Sequence, residues 1–431
     1  MLDIEIVRDN KDKVIKALCG RNYTTEESEK LVSGLLLLDI ERRELLKNVE
    51  SLRKERNDAS AQVAKLKREN KDASELIERT RKIGDEAAII DRKLAETEPE
   101  IRELMLNIPN IPHIDVPLGK GAEDNVVVRE WGEKRKFSFT PKPHWEIGEN
   151  SLSILDMKRG AQLAGSNFPL FVGAGARLAR ALINLMLETH REANFIEISP
   201  PVITNRETMT GTGQLPKFED DMYRLERDDL FLIPTAEVPI GSMHRGEILS
   251  FADLPLRYCA YTPCFRREAG TYGRDTRGLL RVHQFDKVEM FCFTDENKSY
   301  EEHELLVSQA EKILQLVELP YRVLALCTGE IGFSAAKCYD IELYSPGVDK
   351  WLEVSSVSNC ESFQARNLNI RYRDEARKTH YVHTLNGSGV ALARLMVSII
   401  ENYQNEDGSV TVPQVLRESL HQDKITPADN R

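Results

Sequence analysis

A chain of 431 residues is longer than one compact core usually organises, so two domains are expected. It is 41% hydrophobic and 30% charged with no run of 18 apolar residues, which suits a globular protein with a long charged surface element and argues against a membrane-spanning helix. The net charge of −11 is uneven: residues 41–82 hold 13 Lys and Arg against 9 Asp and Glu, which fits either a basic element that binds phosphate on an acidic body or simply a long solvated helix, and charge alone does not decide between them.

Residues 1–10 carry Asp3, Glu5, Arg8 and Asp9 and no apolar stretch, so no secretory signal is read there. From Leu31 a heptad series runs through Leu35, Leu38, Arg42, Leu45, Val49, Leu52, Arg56, Ala59, Val63 and Leu66. A polar stretch at 67–74 follows, then a second series: Leu76, Thr80, Ile83, Ala87, Ile90, Leu94, Thr97, Ile101 and Leu104. This pattern predicts two antiparallel helices joined by a polar tip, each reaching ~60 Å at ~1.5 Å per residue. A bland reading of the same pattern is a dimerisation coiled coil; Arg42 and Arg56 at seam positions count mildly against it. The pattern ends at Asn107-Ile-Pro-Asn-Ile-Pro112, where prolines 109, 112 and 117 mark a linker.

Beyond the linker, β-rich runs at 195–203, 230–233, Leu256–Phe265, 287–293, 321–326 and 341–344 alternate irregularly with helical stretches. Strands without regular intervening helices predict an α+β fold with an antiparallel sheet rather than a doubly wound one. The cysteines at 19, 259, 264, 292, 327, 338 and 360 form no Cys-x-x-Cys pair, so reduced thiols in a cytoplasmic protein are the simple reading. The tail at 421–431 is polar and reads as disordered.

No Walker-type loop and no Rossmann glycine fingerprint is present, so phosphates would be held by side chains. Gly173-Ala-Gly175 lacks a preceding strand and reads as a helix entrance. The densest candidate begins Cys264-Phe-Arg-Arg-Glu268, passes a Gly- and Arg-rich loop to Arg281, and continues Val282-His-Gln-Phe-Asp-Lys-Val-Glu289. A strand, loop, strand hairpin there would bring Arg266 and Arg281 together, and the planar arginine fork suits phosphate.

This stretch resembles motif 2 of the class II aminoacyl-tRNA synthetases in the form found in seryl-tRNA synthetases. The resemblance covers nearly the whole chain. His144-Trp-Glu-Ile-Gly148 is similar to the opening of their catalytic domain, and the helix at 177–192 with the strand ending at Pro200 resembles motif 1, the dimer element. Thr210-Gly-Thr-Gly-Gln-Leu-Pro-Lys-Phe218, Thr235-Ala-Glu237, Glu353-Val-Ser-Ser-Val-Ser-Asn-Cys360 and His383-Thr-Leu-Asn-Gly-Ser-Gly389 follow in the family's order. Val390-Ala-Leu-Ala-Arg394, with the helix at 395–403 behind it, resembles motif 3.

The resemblance implies a tRNA-binding domain over 1–106 with its coiled-coil arm at about 28–105, a linker leading onward over 107–143, a class II catalytic domain over 144–420 and the tail. It implies ATP-dependent activation of L-serine and its transfer to tRNA(Ser), with tRNA(Sec) as a second acceptor, in a homodimer using Mg²⁺. Arg266 and Arg394 are the implied catalytic residues. The implied serine site is Thr235, Ala236, Glu237, Arg266, Glu289, Asn386 and Ser388. The implied ATP site comprises Arg266, Arg267, Glu268, Val282, Phe285, Glu353, Val354, Ser355, Ser356 and Arg394, with Glu353 and Ser356 as magnesium ligands. Arg267 departs from the smaller residue common in relatives, and His283 reads as structural rather than as a general base.

Taken singly, each of these residues has a bland reading: a lone Glu is usually a surface or ion-paired carboxylate, and Phe285 alone would be core. Two other functions compete. A carrier-protein-loading paralogue would lack the long arm, and a non-catalytic relative would have lost Arg266, Glu353 or Arg394.

Overall fold

The structure, a computed structural model, describes residues 1–269 and 277–427. The glycine- and arginine-rich residues 270–276 and the end of the polar tail, 428–431, lie outside the described residues. The chain divides into two compact units at Pro109, with residues from Asn110 onward (and Met1) in the second.

In the first unit, short helices α1 (Ile4–Asp9) and α2 (Lys11–Gly20) precede the long helices α3 (Thr25–Arg68) and α4 (Ser74–Leu106). A capping box starts α3: the Glu27 N–H donates to Thr24 Oγ1 at 3.2 Å, and the Thr24 N–H donates to Glu27 Oε2 at 2.8 Å. The predicted heptads form the seam, with Leu35, Val49 and Ala59 buried on α3 and Ile83, Ala87 and Leu94 on α4. The two seam arginines are accommodated at its margin. Arg42 reaches Glu98 across the hairpin at 3.4 Å, and Arg56 lies over Gly84, where a Cβ would sit 3.6 Å from its guanidinium carbon. Pro99 sits inside α4, although a helix-interior proline removes a backbone donor and costs about 3 kcal/mol. Asp39, almost fully buried, is bracketed by Arg8 at 2.9 Å and Arg43 at 3.1 Å, and this ties α1 to α3.

The second unit is built on an eight-stranded sheet. Its strands in chain order are β1 (Val126–Trp131), β2 (Ile196–Glu197), β3 (Leu256–Phe265), β4 (Gln284–Thr294), β5 (Tyr321–Ala325), β6 (Lys337–Ser345), β7 (Lys350–Asn359) and β8 (His383–Ala391). Their spatial order is β1-β5-β6-β7-β8-β4-β3-β2, and every pair is antiparallel except β2 with β3. The antiparallel α+β expectation therefore holds.

Three sequence expectations are corrected. The polar tail is ordered at its start, where Lys424–Ile425 pairs with Val410–Thr411 and Ile425 is buried in the main core. The run at 195–203 is not one strand: β2 ends at Glu197 and Ile203–Asn205 joins a separate small sheet, because Pro200 and Pro201 between them lack ladder donors. The stretch taken as linker supplies β1, whose six residues are exposed at the sheet edge and show no inward alternation.

Helices Ala174–Glu192, Ser299–Leu316 and Leu392–Asn402 share one core with the sheet, through Leu182 and Met186, Leu306 and Ile313, and Met396 and Ile399. On β4, Val288, Met290 and Cys292 join that core. Period-two alternation sends Lys287, Glu289 and Phe291 to the opposite face. That face carries the functional cavity.

Candidate active site

A cavity of about 450 Å³ opens over β3, β4, β7 and β8. All of the sequence-derived site residues line it except Ala236 and Arg267. Ala236 is instead fully buried in an apolar cluster with Ile240, Phe291 and Phe293, because its side chain turns inward while Thr235 and Glu237 face the cavity. Arg267 is exposed beyond the rim, with its backbone N–H on the Asp221 carbonyl at 2.9 Å.

One end of the cavity is acidic and buried. Glu237 and Glu289 are both buried there. Glu237 is held by Gln364, whose Nε2 donates to Oε1 at 2.7 Å, and Gln364 is itself fixed by Thr384 at 2.8 Å and the Thr212 carbonyl at 3.1 Å. Burial first, and the Glu289 charge second, push the Glu237 carboxyl up to about 7, while Lys287, Gln364 and Arg266 pull it the other way. Asn386 Nδ2 donates to Glu289 Oε1 at 3.4 Å. Ser388 stands directly across the β4–β8 ladder from Glu289. Lys287, to which sequence reasoning gave no role, places Nζ 2.6 Å from Glu289 Oε2 and 2.8 Å from Thr235 Oγ1.

The other end is cationic and more open. The Arg266 guanidinium lies 5.3 Å from the Phe285 ring centroid, a cation–π contact on one ring face. Glu268, at φ +52°, pairs with Arg281 at 3.1 Å. Arg266 and Arg281 both line the cavity, as the hairpin argument required. Arg394, on the helix after β8, donates to the Glu353 carbonyl at 2.6 Å and lies 3.6 Å from its carboxylate.

Two irregularities in the sheet place these groups. Opposite β6, Ile341 pairs with Ser355 but Glu342 pairs with Glu353, so Val354 is an extra residue on β7. Such a bulge shifts the alternation by one, which lets Glu353 and Ser356, three apart, line the same cavity. Between β8 and β4 the register slips after Ser388, and the buried Val390 adopts φ +113°, a strained conformation for a β-branched residue. That kink ends the strand so that Ser388 and Arg394 both reach the cavity.

Sequence reasoning missed two further residues. Asp340 pairs with Ser356 across the ladder, and burial followed by the Glu353 charge pushes its carboxyl well above the usual range. His144 is fully buried, with Nδ1 2.8 Å from Glu401 and Nε2 accepting the Leu279 N–H at 3.0 Å. It thereby anchors the segment that carries Leu280, Arg281 and Val282 to the cavity wall. Gly278, at φ +66°, is required beside it, since a Cβ would lie 2.3 Å from Nε2. The His283 ring donates from Nδ1 to the Arg266 carbonyl at 3.0 Å.

A magnesium ion takes an octahedron of hard oxygen ligands, few of them from the protein and the rest from waters and substrate phosphates. The Glu353 carboxylate and Ser356 hydroxyl, brought to one face by the bulge, are of that kind and fit.

The antiparallel sheet with its arginine-lined cavity is that of a class II synthetase core. Residues 217–403 match the family model for the tRNA synthetase class II core domain (G, H, P, S and T). Residues 1–112 match the seryl-tRNA synthetase N-terminal domain. The serine–tRNA ligase of Geobacillus sp. (strain WCH70) is 55% identical over 419 residues, covering 97% of this chain and 98% of the relative. That of Carboxydothermus hydrogenoformans is 51% identical over 427 residues, covering 99% of each. The crystal structure of seryl-tRNA synthetase from Pyrococcus horikoshii complexed with ATP superposes with a TM-score of 0.92 at 39% identity, over 99% of this chain and 100% of that one. The chain belongs to the seryl-tRNA synthetase family.

Proposed function

We propose that this chain activates L-serine with ATP and transfers the serine to the 3′ end of tRNA(Ser). The observation that carries the reading is a single cavity with a buried acidic end and an arginine-rich end that includes Arg266, whose charge acts on the buried Glu237. A zwitterionic amino acid fits that polarity, its ammonium toward Glu237 and its carboxylate toward Arg266. A serine carboxylate oxygen attacks the α-phosphorus of ATP, the bond to the β-phosphate bridging oxygen breaks, and pyrophosphate leaves. Arg266 holds the α-phosphate and the attacking carboxylate in register, which is catalysis by positioning and charge. Phe285 offers its ring to adenine, Glu268 accepts from the adenine edge, and Arg394 covers the base and meets the γ-phosphate. Val282, Val354 and Ser355 complete the nucleotide walls. Mg²⁺, held by Glu353 and Ser356, supplies neutralising charge on the phosphates when bound. A terminal tRNA hydroxyl then attacks the seryl carbonyl, AMP leaves, and the proton passes to substrate phosphate.

At the acidic end Glu289, Asn386 and Ser388 receive the serine side chain. A site built to hydrogen-bond a hydroxyl rejects analogues that lack one. The arm supplies the phosphate contacts to tRNA. Arg53 and Arg79 are engaged in cross-hairpin ion pairs, which leaves Lys54, Lys65, Lys67, Arg68, Arg81 and Lys82 as the better candidates. We read tRNA(Sec) as a second acceptor, the cytoplasm as the setting, and a homodimer as the assembly.

Pyrophosphate exchange into ATP across a panel of amino acids tests this function. Exchange should be strong with serine and weak with alanine, glycine and threonine; equal exchange with alanine would overturn hydroxyl-based selection. A non-catalytic or carrier-loading role is not favoured, because Arg266, Glu353, Arg394 and the arm are all present.

A further inference from the structure

Lys287 is a buried ammonium on the cavity floor, 6% exposed. Buried charges are costly unless paired, so such a group is held in place by its partners. Lys287 and Glu289 are two apart on β4 and therefore project from the same face. Nζ lies 2.6 Å from Glu289 Oε2, and Asn386 donates to Oε1 at 3.4 Å. A carboxylate offers about four acceptor positions, so these two partners leave others for a ligand. Nζ also donates to Thr235 Oγ1 at 2.8 Å, and the same oxygen accepts the Glu237 N–H at 3.2 Å. A hydroxyl has two acceptor sites and one proton. Both acceptor sites of Thr235 are filled, so its side chain has only a donor to offer.

We propose that Lys287 is a positioning residue for amino-acid selection: it keeps Glu289 an acceptor for the substrate hydroxyl and keeps Thr235 a donor. This deepens the proposed serine site and rests on it. The charged and titratable groups around the two carboxylates are Lys287 on β4, Arg266 after β3 and the buried Cys264 thiol at the end of β3. Without the ammonium, Glu237 and Glu289 would face one another with one fewer compensating charge. Thr235 Oγ1 would also regain an open acceptor site in place of its bond from Lys287, and the distinction between serine and alanine would fade.

The test uses the full chain with Lys287→Met and Lys287→Arg, reading pyrophosphate exchange with serine and with alanine. In Lys287→Met the KM for serine should rise about 10- to 100-fold, the cost of a lost charged hydrogen bond, and the preference for serine over alanine should fall by a similar factor. The KM for ATP should stay within about twofold, since the nucleotide end is untouched. The serine KM of the parent should improve as pH rises through about 7, where Glu237 ionises, and that midpoint should move upward in Lys287→Met. Lys287→Arg should keep the serine preference. Loss of kcat and thermal stability with an unchanged serine-to-alanine ratio would overturn the proposal. If Lys287→Met does not fold, a folded Lys287→Arg that has lost the preference overturns it equally. A parent chain without serine-dependent exchange would instead refute the proposed function itself.

Discussion

Two ion pairs of nearly equal length have opposite surroundings in this molecule. Arg53 and Asp91 meet at 2.8 Å on the arm hairpin with side chains 59% and 45% exposed, whereas Lys287 and Glu289 meet at 2.6 Å in the catalytic unit with 8% and 1% exposed. Exposed pairs contribute about 0.2–1 kcal/mol, while breaking a buried one costs about 3–5 kcal/mol. Distance alone says nothing about importance; solvent does. The arm is a surface on which charge is exchangeable and summed over many residues, and the cavity is a place where each charge has a fixed partner and a separate consequence.

The sharpest way to break this comparison is to remove one side of it. A chain lacking residues 2–109 should retain serine-dependent pyrophosphate exchange and lose efficient tRNA charging, measured as both half-reactions on one preparation checked by circular dichroism. The cut belongs at Pro109 rather than within the arm, because α1 and α2 bury Val7, Val14 and Leu18, and Arg8 depends on Asp39 of α3. Charging at the parental rate would reduce the arm to an interaction coiled coil.

Within the cavity, Arg266→Ala and Arg394→Ala should each lower exchange by ~10²–10³ with far-ultraviolet dichroism unchanged. Near-normal exchange in either variant would remove that arginine from the mechanism.

A smaller effect follows from Glu237. Its folded-state carboxyl is raised from 4.5 to about 7, so between those values the folded protein holds a proton that the unfolded chain has released. This stabilisation is present at low pH and is lost as pH rises toward 7. Thermal melts of Glu237→Gln against the parent should show a difference that changes across this window; parallel Tm curves would refute the buried, raised carboxyl.

The smallest effect is expected on the arm. Asp91→Ala should change stability by no more than about 1 kcal/mol and should leave exchange untouched, because its partner Arg53 is simply hydrated. A large shift in Tm would mean that the hairpin surface behaves like the cavity.

Legibility in the sequence divides along the same line. The hairpin could be read because a heptad repeat is a local code that Leu35, Val49, Ile83 and Leu94 obey, but at the start of α3 it is Val32 and Asp39, next to the expected Leu31 and Leu38, that are buried, where α1 and α2 were not foreseen. Arg266, Phe285, Glu353 and Arg394 could be read because they sit within contiguous motifs. Lys287 and His144 could not be assigned, since a buried lysine or histidine is defined by its partners: Thr235 lies 52 residues from Lys287, and Glu401 lies 257 from His144. Asp340 was hidden for the same reason, standing opposite Ser356 on another strand. Motif spacing also over-reached at Ala236, because two neighbours that face a cavity do not oblige the residue between them to do so.

Val354 carries an implication for anyone who would graft this strand. Its presence as a surplus link sets the parity of everything after it. Were the strand to pair evenly, with Val354 taken into the ladder and no bulge, Glu353 and Ser356, three apart, would turn to opposite sides, disabling the site while every named functional group remained in the chain. An alignment that scored only which residues are kept would miss the change, whereas the ladder register on either side of Val354 shows it at once.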